Sequence, residues 1–177
     1  MSAPLKFSKM ISESDISKRV KELGQEISAL AQKEPLIAVC ILKGSFVFFS
    51  DLVREIDADV TTEFLGVASY GNSMHSSGEV KLTLDLTSSI EGKTVLLVED
   101  IIDTGLTMEF LMKTLSARKP KKILTAALLL KPDALKVPFK ADFVGFKIPN
   151  DFVIGYGLDY QGFYRNLPYI ARVESLQ

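Results

Sequence analysis

The ten-residue string Val98-Glu99-Asp100-Ile101-Ile102-Asp103-Thr104-Gly105-Leu106-Thr107 crowds three carboxylates, two hydroxyls and a glycine together. Where a loop enters a helix, free backbone N–H groups and the helix dipole favour an anion, so a phosphate fits against Asp103 to Thr107. Gly105 permits close backbone approach, and the hydroxyls of Thr104 and Thr107 can donate to phosphate oxygens. Glu99 and Asp100 are acceptors at the same edge, able to hold sugar hydroxyls directly or through Mg²⁺. One such loop can seat a ribose 5-phosphate and leave Asp103 for proton transfer.

Plainer readings compete for the same residues. An acidic residue at a helix start is often only an N-cap, and Asp103 alone fits that role equally well. Asp-Thr-Gly also marks the active site of aspartic proteases, but no second Asp-Thr-Gly or Asp-Ser-Gly occurs in this chain. The surrounding pattern is α/β as well, which leaves that reading without support.

The elements that must position the string follow from hydrophobic spacing. Ile16, Val20, Leu23, Ile27 and Leu30 recur at four, three, four and three, one face of a helix that Ser12 or Ser14 can cap. Leu36 to Leu42 is a continuous apolar run, the mark of a strand covered on both faces in a parallel sheet. Lys43-Gly44-Ser45 interrupts it, and Phe46 to Ile56 suits a second helix. Strand formers dominate Val60 to Ser69 and Val80 to Leu86, around a polar loop from Tyr70 to Glu79. Thr94 to Val98 reads as a buried strand, Glu99 to Gly105 as a loop, and Leu106 to Ala117 as a helix. Its inner side is expected to carry Phe110, Leu111, Thr114 and Leu115. Ile123 to Leu130 and Asp142 to Ile148 are further strands. Strand-helix-strand alternation implies right-handed crossovers and an α/β fold with a doubly wound, mostly parallel sheet flanked by helices. Ligands in such sheets collect at the carboxyl ends of the strands, where Lys43-Gly44, Glu99 to Thr107 and Lys131 all fall.

At 177 residues the chain is expected to form one domain spanning 1–177. Balanced charge, 21 basic against 22 acidic residues, argues against broad adhesion to nucleic acid or an anionic membrane. No apolar run approaches the roughly 20 residues that span a bilayer, and Lys6 and Lys9 break any signal-like stretch. The single cysteine, Cys40, has no partner for an internal disulfide, which fits a reducing, cytoplasmic location.

The string resembles the phosphoribosyl pyrophosphate (PRPP) motif of the type I phosphoribosyltransferases. Its Glu-Asp followed by Asp-Thr-Gly resembles the hypoxanthine-guanine members specifically, and the likeness runs from about Ile37 to Arg172. The resemblance implies Mg²⁺-dependent purine salvage: transfer of phosphoribosyl from PRPP to hypoxanthine or guanine, giving IMP or GMP and pyrophosphate. It implies the family fold, with a small hood from the terminal segments and a mobile lid beginning at Ser69-Tyr70-Gly71. An assembly of two or four copies goes with it. By the same resemblance Glu99, Asp100, Asp103, Thr104, Gly105, Leu106 and Thr107 bind the ribose phosphate, and Asp103 is the catalytic residue. Lys43 and Gly44 belong to the pyrophosphate loop, which carries a cis peptide in the family, and Arg165 neutralises pyrophosphate. Lys131 donates to the purine 6-oxo group, Phe152 stacks on the ring and the Val153 backbone reads its edge. Asp159 lies beside the base and holds a second Mg²⁺; Glu99 and Asp100 hold the first.

Departures from the family pattern are specific. Pro132-Asp133-Ala134-Leu135 lacks the arginines many relatives carry, and Leu106 and Asp151 stand where some have lysine. His75, the only histidine, falls in the lid loop and receives no role. Two other functions fit the residues less well. A regulator that binds nucleotide without turnover would not need the full carboxylate set. An adenine or orotate enzyme would not need Glu99 with Asp103 and the Phe152 to Asp159 stretch; xanthine is disfavoured less.

Overall fold

A computed structural model describes residues 5–31, 34–69 and 80–175. Six strands form the main sheet in the order β4-β3-β2-β5-β6-β7. These are β2 (Leu36–Leu42), β3 (Val60–Ser69), β4 (Val80–Leu84), β5 (Thr94–Ile102), β6 (Lys122–Leu130) and β7 (Phe143–Lys147). All neighbours are parallel except β3 and β4, whose antiparallel pairing makes β4 an edge. The expected α/β fold with a mostly parallel sheet is therefore present.

Period-two alternation sends neighbouring residues of each central strand to opposite faces. Leu36, Ala38 and Cys40 join Leu96, Val98, Ala126 and Leu128 in one core, against helices α1 (Glu13–Ala31) and α2 (Phe46–Arg54). Ile37, Val39 and Ile41 join Val95, Leu97 and Ala127 in the other, against α3 (Leu106–Ser116). Continuous apolar runs were needed because both faces are covered.

The hood is a separate three-stranded antiparallel sheet from the two ends of the chain. It comprises β1 (Lys6–Ile11), β9 (Ile170–Ser175) and β8 (Val153–Ile154), in the order β1-β9-β8. Ser12 serves as the cap of α1: its Oγ accepts the Asp15 N–H at 3.2 Å.

Several boundaries differ from the sequence reading. β5 runs on to Ile102 because its ladder with β6 continues through Glu99, Ile101 and Ile102, so Glu99 and Asp100 sit on the strand's end and not in a loop. Leu30 is exposed: the packed stripe of α1 passes through Ala31 instead. On α3 the inner face is Met108, Leu111 and Leu115, whereas Phe110 and Thr114 are only half-buried. β4 stops at Leu84 and α2 at Arg54, each two residues short of the expected end. Ser69 is the last residue of β3, while Tyr70 and His75 lie outside the described residues.

Candidate active site

Strand order decides where the chemistry collects. β5 lies between β2 and β6, all three parallel, so their carboxyl ends share one edge. Leu42 leads there into Lys43-Gly44, Ile102 into Asp103-Thr104-Gly105, and Leu130 into Lys131. Residues far apart in sequence are thereby gathered by strand order.

Two compartments that share lining residues lie at this edge. The larger, about 240 Å³, is bordered by Asp100, Asp103, Lys131, Phe152, Val153 and Asp159. Ile101 and Leu158 complete its wall; neither was anticipated, since an aliphatic residue among polar ones carries no distinguishing sequence signal. The smaller, about 70 Å³, is bordered by Glu99, Asp103, Thr104, Gly105 and Thr107. Asp103 belongs to both. A cavity of about 590 Å³ opens elsewhere, between α1, α2 and residues 165–168, but no carboxylate of the ten-residue string reaches it.

Lys131 is buried, and its Nζ lies 3.0 Å from Asp103 Oδ2. A buried ammonium needs a counter-charge, and Asp103, itself half-exposed, supplies it. An acceptor and a donor are thus set side by side at the mouth of the 240 Å³ cavity. Glu99 is buried too, and burial, then the adjacent Asp100 carboxyl, push its pKa well above the usual carboxylate range. Burial also raises Asp100, while hydrogen bonds from Glu99 and the Ile101 amide work against that rise. Two carboxyls this close, Glu99 buried and Asp100 partly exposed at the larger compartment, favour a bound cation or hydroxyl donors.

Lys43 and Gly44, which follow β2, come next to this pair. The Leu42–Lys43 peptide is cis, Lys43 is exposed, and Gly44 lies directly against Asp100. A Cβ at position 44 would fall 1.6 Å from Asp100 Oδ2, so only glycine lets the two segments meet. Arg165 does not point freely into the cleft. It pairs with Asp159 at 2.6 Å and donates to the Gly157 carbonyl at 2.6 Å. Asp159 accepts the Gly162 N–H as well, at 2.7 Å. Phe152 is 41% exposed, touching Tyr160 edge-on with centroids 5.9 Å apart, so its ring is not a core residue. Leu106 opens α3, and its N–H reaches Thr104 Oγ1 at 3.4 Å. Asp151, one of the departures, pairs with Arg172 at 2.8 Å.

Glu99, Asp100 and Asp159 offer hard oxygen donors of the kind Mg²⁺ takes. Among the described residues, however, no three His, Cys, Asp or Glu side chains converge on one point. The set therefore fits a hard dication only when other oxygens complete its shell. No helix among the described residues is long and apolar enough to cross a membrane.

The family model for the phosphoribosyl transferase domain matches residues 9–161. This chain belongs to the phosphoribosyltransferase family. Its relatives place it on the hypoxanthine-guanine branch of the phosphoribosyltransferases. The Bacillus subtilis hypoxanthine-guanine phosphoribosyltransferase is 50% identical over 92% of this chain and 90% of its own length. The Aquifex aeolicus enzyme of the same name is 49% identical over 96% of each. A crystal structure of a Bacillus anthracis hypoxanthine-guanine phosphoribosyltransferase superposes with a TM-score of 0.91, at 45% identity, covering 96% of this chain and 99% of that one. A phosphoribosyltransferase reading accounts for both compartments, the small one at a helix start and the larger one beside it.

Proposed function

We propose that this phosphoribosyltransferase joins hypoxanthine or guanine to PRPP, releasing IMP or GMP and pyrophosphate. The observation that carries the reading is the Lys131–Asp103 pair, 3.0 Å apart, on the wall of the larger compartment, with Asp103 also bordering the smaller one. A 6-oxopurine presents a carbonyl acceptor at C6 next to N7, and the pair presents a donor next to an acceptor in the same order. Lys131 donates to the 6-oxo group, Asp103 takes or shares the N7 proton, and Phe152 covers the ring face. The Val153 backbone reads the base edge.

In this reading the 5-phosphate sits on the amides and hydroxyls from Asp103 to Thr107, and the ribose diol on Glu99 and Asp100. Pyrophosphate leaves past Lys43, Gly44 and Arg165. Glu99 and Asp100, with Asp159 at a second position, would hold Mg²⁺, which would supply charge neutralisation for the leaving pyrophosphate. The lid that begins at Ser69 and Tyr70 excludes water while positive charge develops on the ribose.

Incubating the protein with Mg²⁺, PRPP and each purine, and identifying the nucleotide by chromatography, tests the reaction. IMP and GMP are expected, with loss of both in a chelator and no change in circular dichroism. Formation of either nucleotide in the chelator would remove the metal from the reading. The same proposal covers a cytoplasmic enzyme assembled from two or four copies, which light scattering checks.

A further inference from the structure

The chain from Lys131 to Phe139 doubles back beneath the small compartment. A single 3-10 turn, Pro132–Ala134, reverses it after β6. Its amides then take the carbonyls on either side of Asp103: Lys131 N–H donates to Ile102 O, and Lys136 N–H to Thr104 O, both at 2.9 Å. Leu135 and Phe139 pack on the core formed with Met108 and Leu111 of α3. Gly105 is in the left-handed region at φ 82°, and a Cβ there would meet Val137 Cγ2 at 2.9 Å and Leu135 Cδ2 at 3.3 Å. None of residues 132–139 borders the 70 Å³ compartment, so they approach the loop from its other side.

Peptide geometry turns this contact into an orientation. The 104–105 peptide is trans, so its C=O and N–H point in opposite directions. Fixing the Thr104 carbonyl on Lys136 therefore aims the Gly105 N–H away from the 132–139 segment, toward the small compartment. Thr104 Oγ1 already accepts the Leu106 N–H at 3.4 Å, which leaves the Gly105 amide a principal free donor at the helix start.

We propose that residues 135–137 are positioning residues for the 5-phosphate seat. The Lys136 amide turns the Gly105 N–H toward the phosphate, and Leu135 and Val137 support Gly105 in its left-handed conformation. They touch no substrate and act through the loop. This inference rests on the reading of Asp103 to Thr107 as a phosphate seat.

Lys136→Pro removes the donor, and Leu135 at φ −58°, ψ 126° already has the backbone that precedes a proline. Lys136→Ala is the reference, because it keeps the amide. Calorimetry with GMP and with guanosine separates the phosphate from the rest of the ligand. In Lys136→Pro, GMP affinity should fall about tenfold relative to Lys136→Ala, the scale of one lost hydrogen bond, while guanosine affinity stays equal in the two. Equal losses for both ligands, or an unchanged ratio, would overturn the proposal. Should Lys136→Pro fail to fold, Val137→Ala decides: the ratio of GMP to guanosine affinity should drop about threefold, and a wild-type ratio would overturn it. Wild-type protein that binds GMP no better than guanosine would instead sink the phosphate seat itself.

Discussion

The Lys131 ammonium is buried and held 3.0 Å from a carboxylate oxygen of Asp103, a residue 28 positions away in the chain. Their meeting follows from β5 and β6 being parallel neighbours whose ends are level, Ile102 opposite Leu130. Each residue then constrains the other. Asp103 neutralises Lys131, and Lys131 holds the Asp103 carboxylate at the cavity mouth.

Asp103→Asn should lower turnover by about 10²–10⁴, the usual worth of a general base. PRPP binding should change little, because in the proposed reading the phosphate is held mainly by backbone and threonine groups. The substitution also leaves Lys131 buried without a counter-charge, so a loss of stability of about 3 kcal/mol accompanies it. Single-turnover rates near wild type would reduce Asp103 to a counter-ion for Lys131 and a helix-start residue.

Phe152 and Phe48 differ in exposure, and the proposed function gives only Phe152 a ligand to face. Phe152 is 41% exposed at the cavity, whereas Phe48 is fully buried in the core. Phe152→Ala should weaken nucleotide binding by about 1–3 kcal/mol, the scale of base stacking, with little effect on Tm. Phe48→Ala should cost about 3–5 kcal/mol of stability. A large drop in Tm for Phe152→Ala, with nucleotide affinity kept, would return Phe152 to the packing.

Much of this arrangement was readable from residues alone, and the limits have physical causes. The runs Leu36 to Leu42 and Ile123 to Leu130 announced two-sided burial, and the spacing in α1 announced its inner face up to Ile27. The end of β5 was misplaced because Glu99 and Asp100 look like loop residues, although their backbone still pairs with β6. The hood strands β1 and β9 are short and half-exposed, so their pairing is set by contacts between the chain ends and not by local pattern. Ion pairs such as Asp159–Arg165 and Asp151–Arg172 depend on side chains meeting in space, which spacing does not encode.

Glu63 provides a pH-dependent check on the region that follows β4. Its carboxylate accepts hydrogen bonds from the Ser88 hydroxyl and from the Thr87 hydroxyl and amide, and these lower its pKa, Ser88 contributing most. A group depressed on folding contributes stability above its unfolded pKa, and that contribution is lost as pH falls through the folded value. Glu63→Gln should therefore be less stable than wild type by about 1 kcal/mol at neutral pH. The two proteins should converge as the pH drops below the ordinary glutamate range. A gap that persists undiminished well below that range, in urea melts, would mean the bonds do not depend on the ionised form.

The most direct test of the central claim is the ratio of kcat/KM for hypoxanthine to that for adenine, in wild type and in Lys131→Met. Lys131 has three donors and no acceptor, so it can keep Asp103 and still give a hydrogen bond to a 6-oxo group. Adenine sets a 6-amino donor against that ammonium, and sites built around such a bond discriminate by about 10⁴–10⁵. The wild-type ratio should reach that range, and Lys131→Met should damage the hypoxanthine reaction while narrowing the ratio by about 10² or more. Comparable rates of AMP and IMP formation by the wild-type protein would contradict the role given to Lys131, and with it the reading of this site as one for 6-oxopurines.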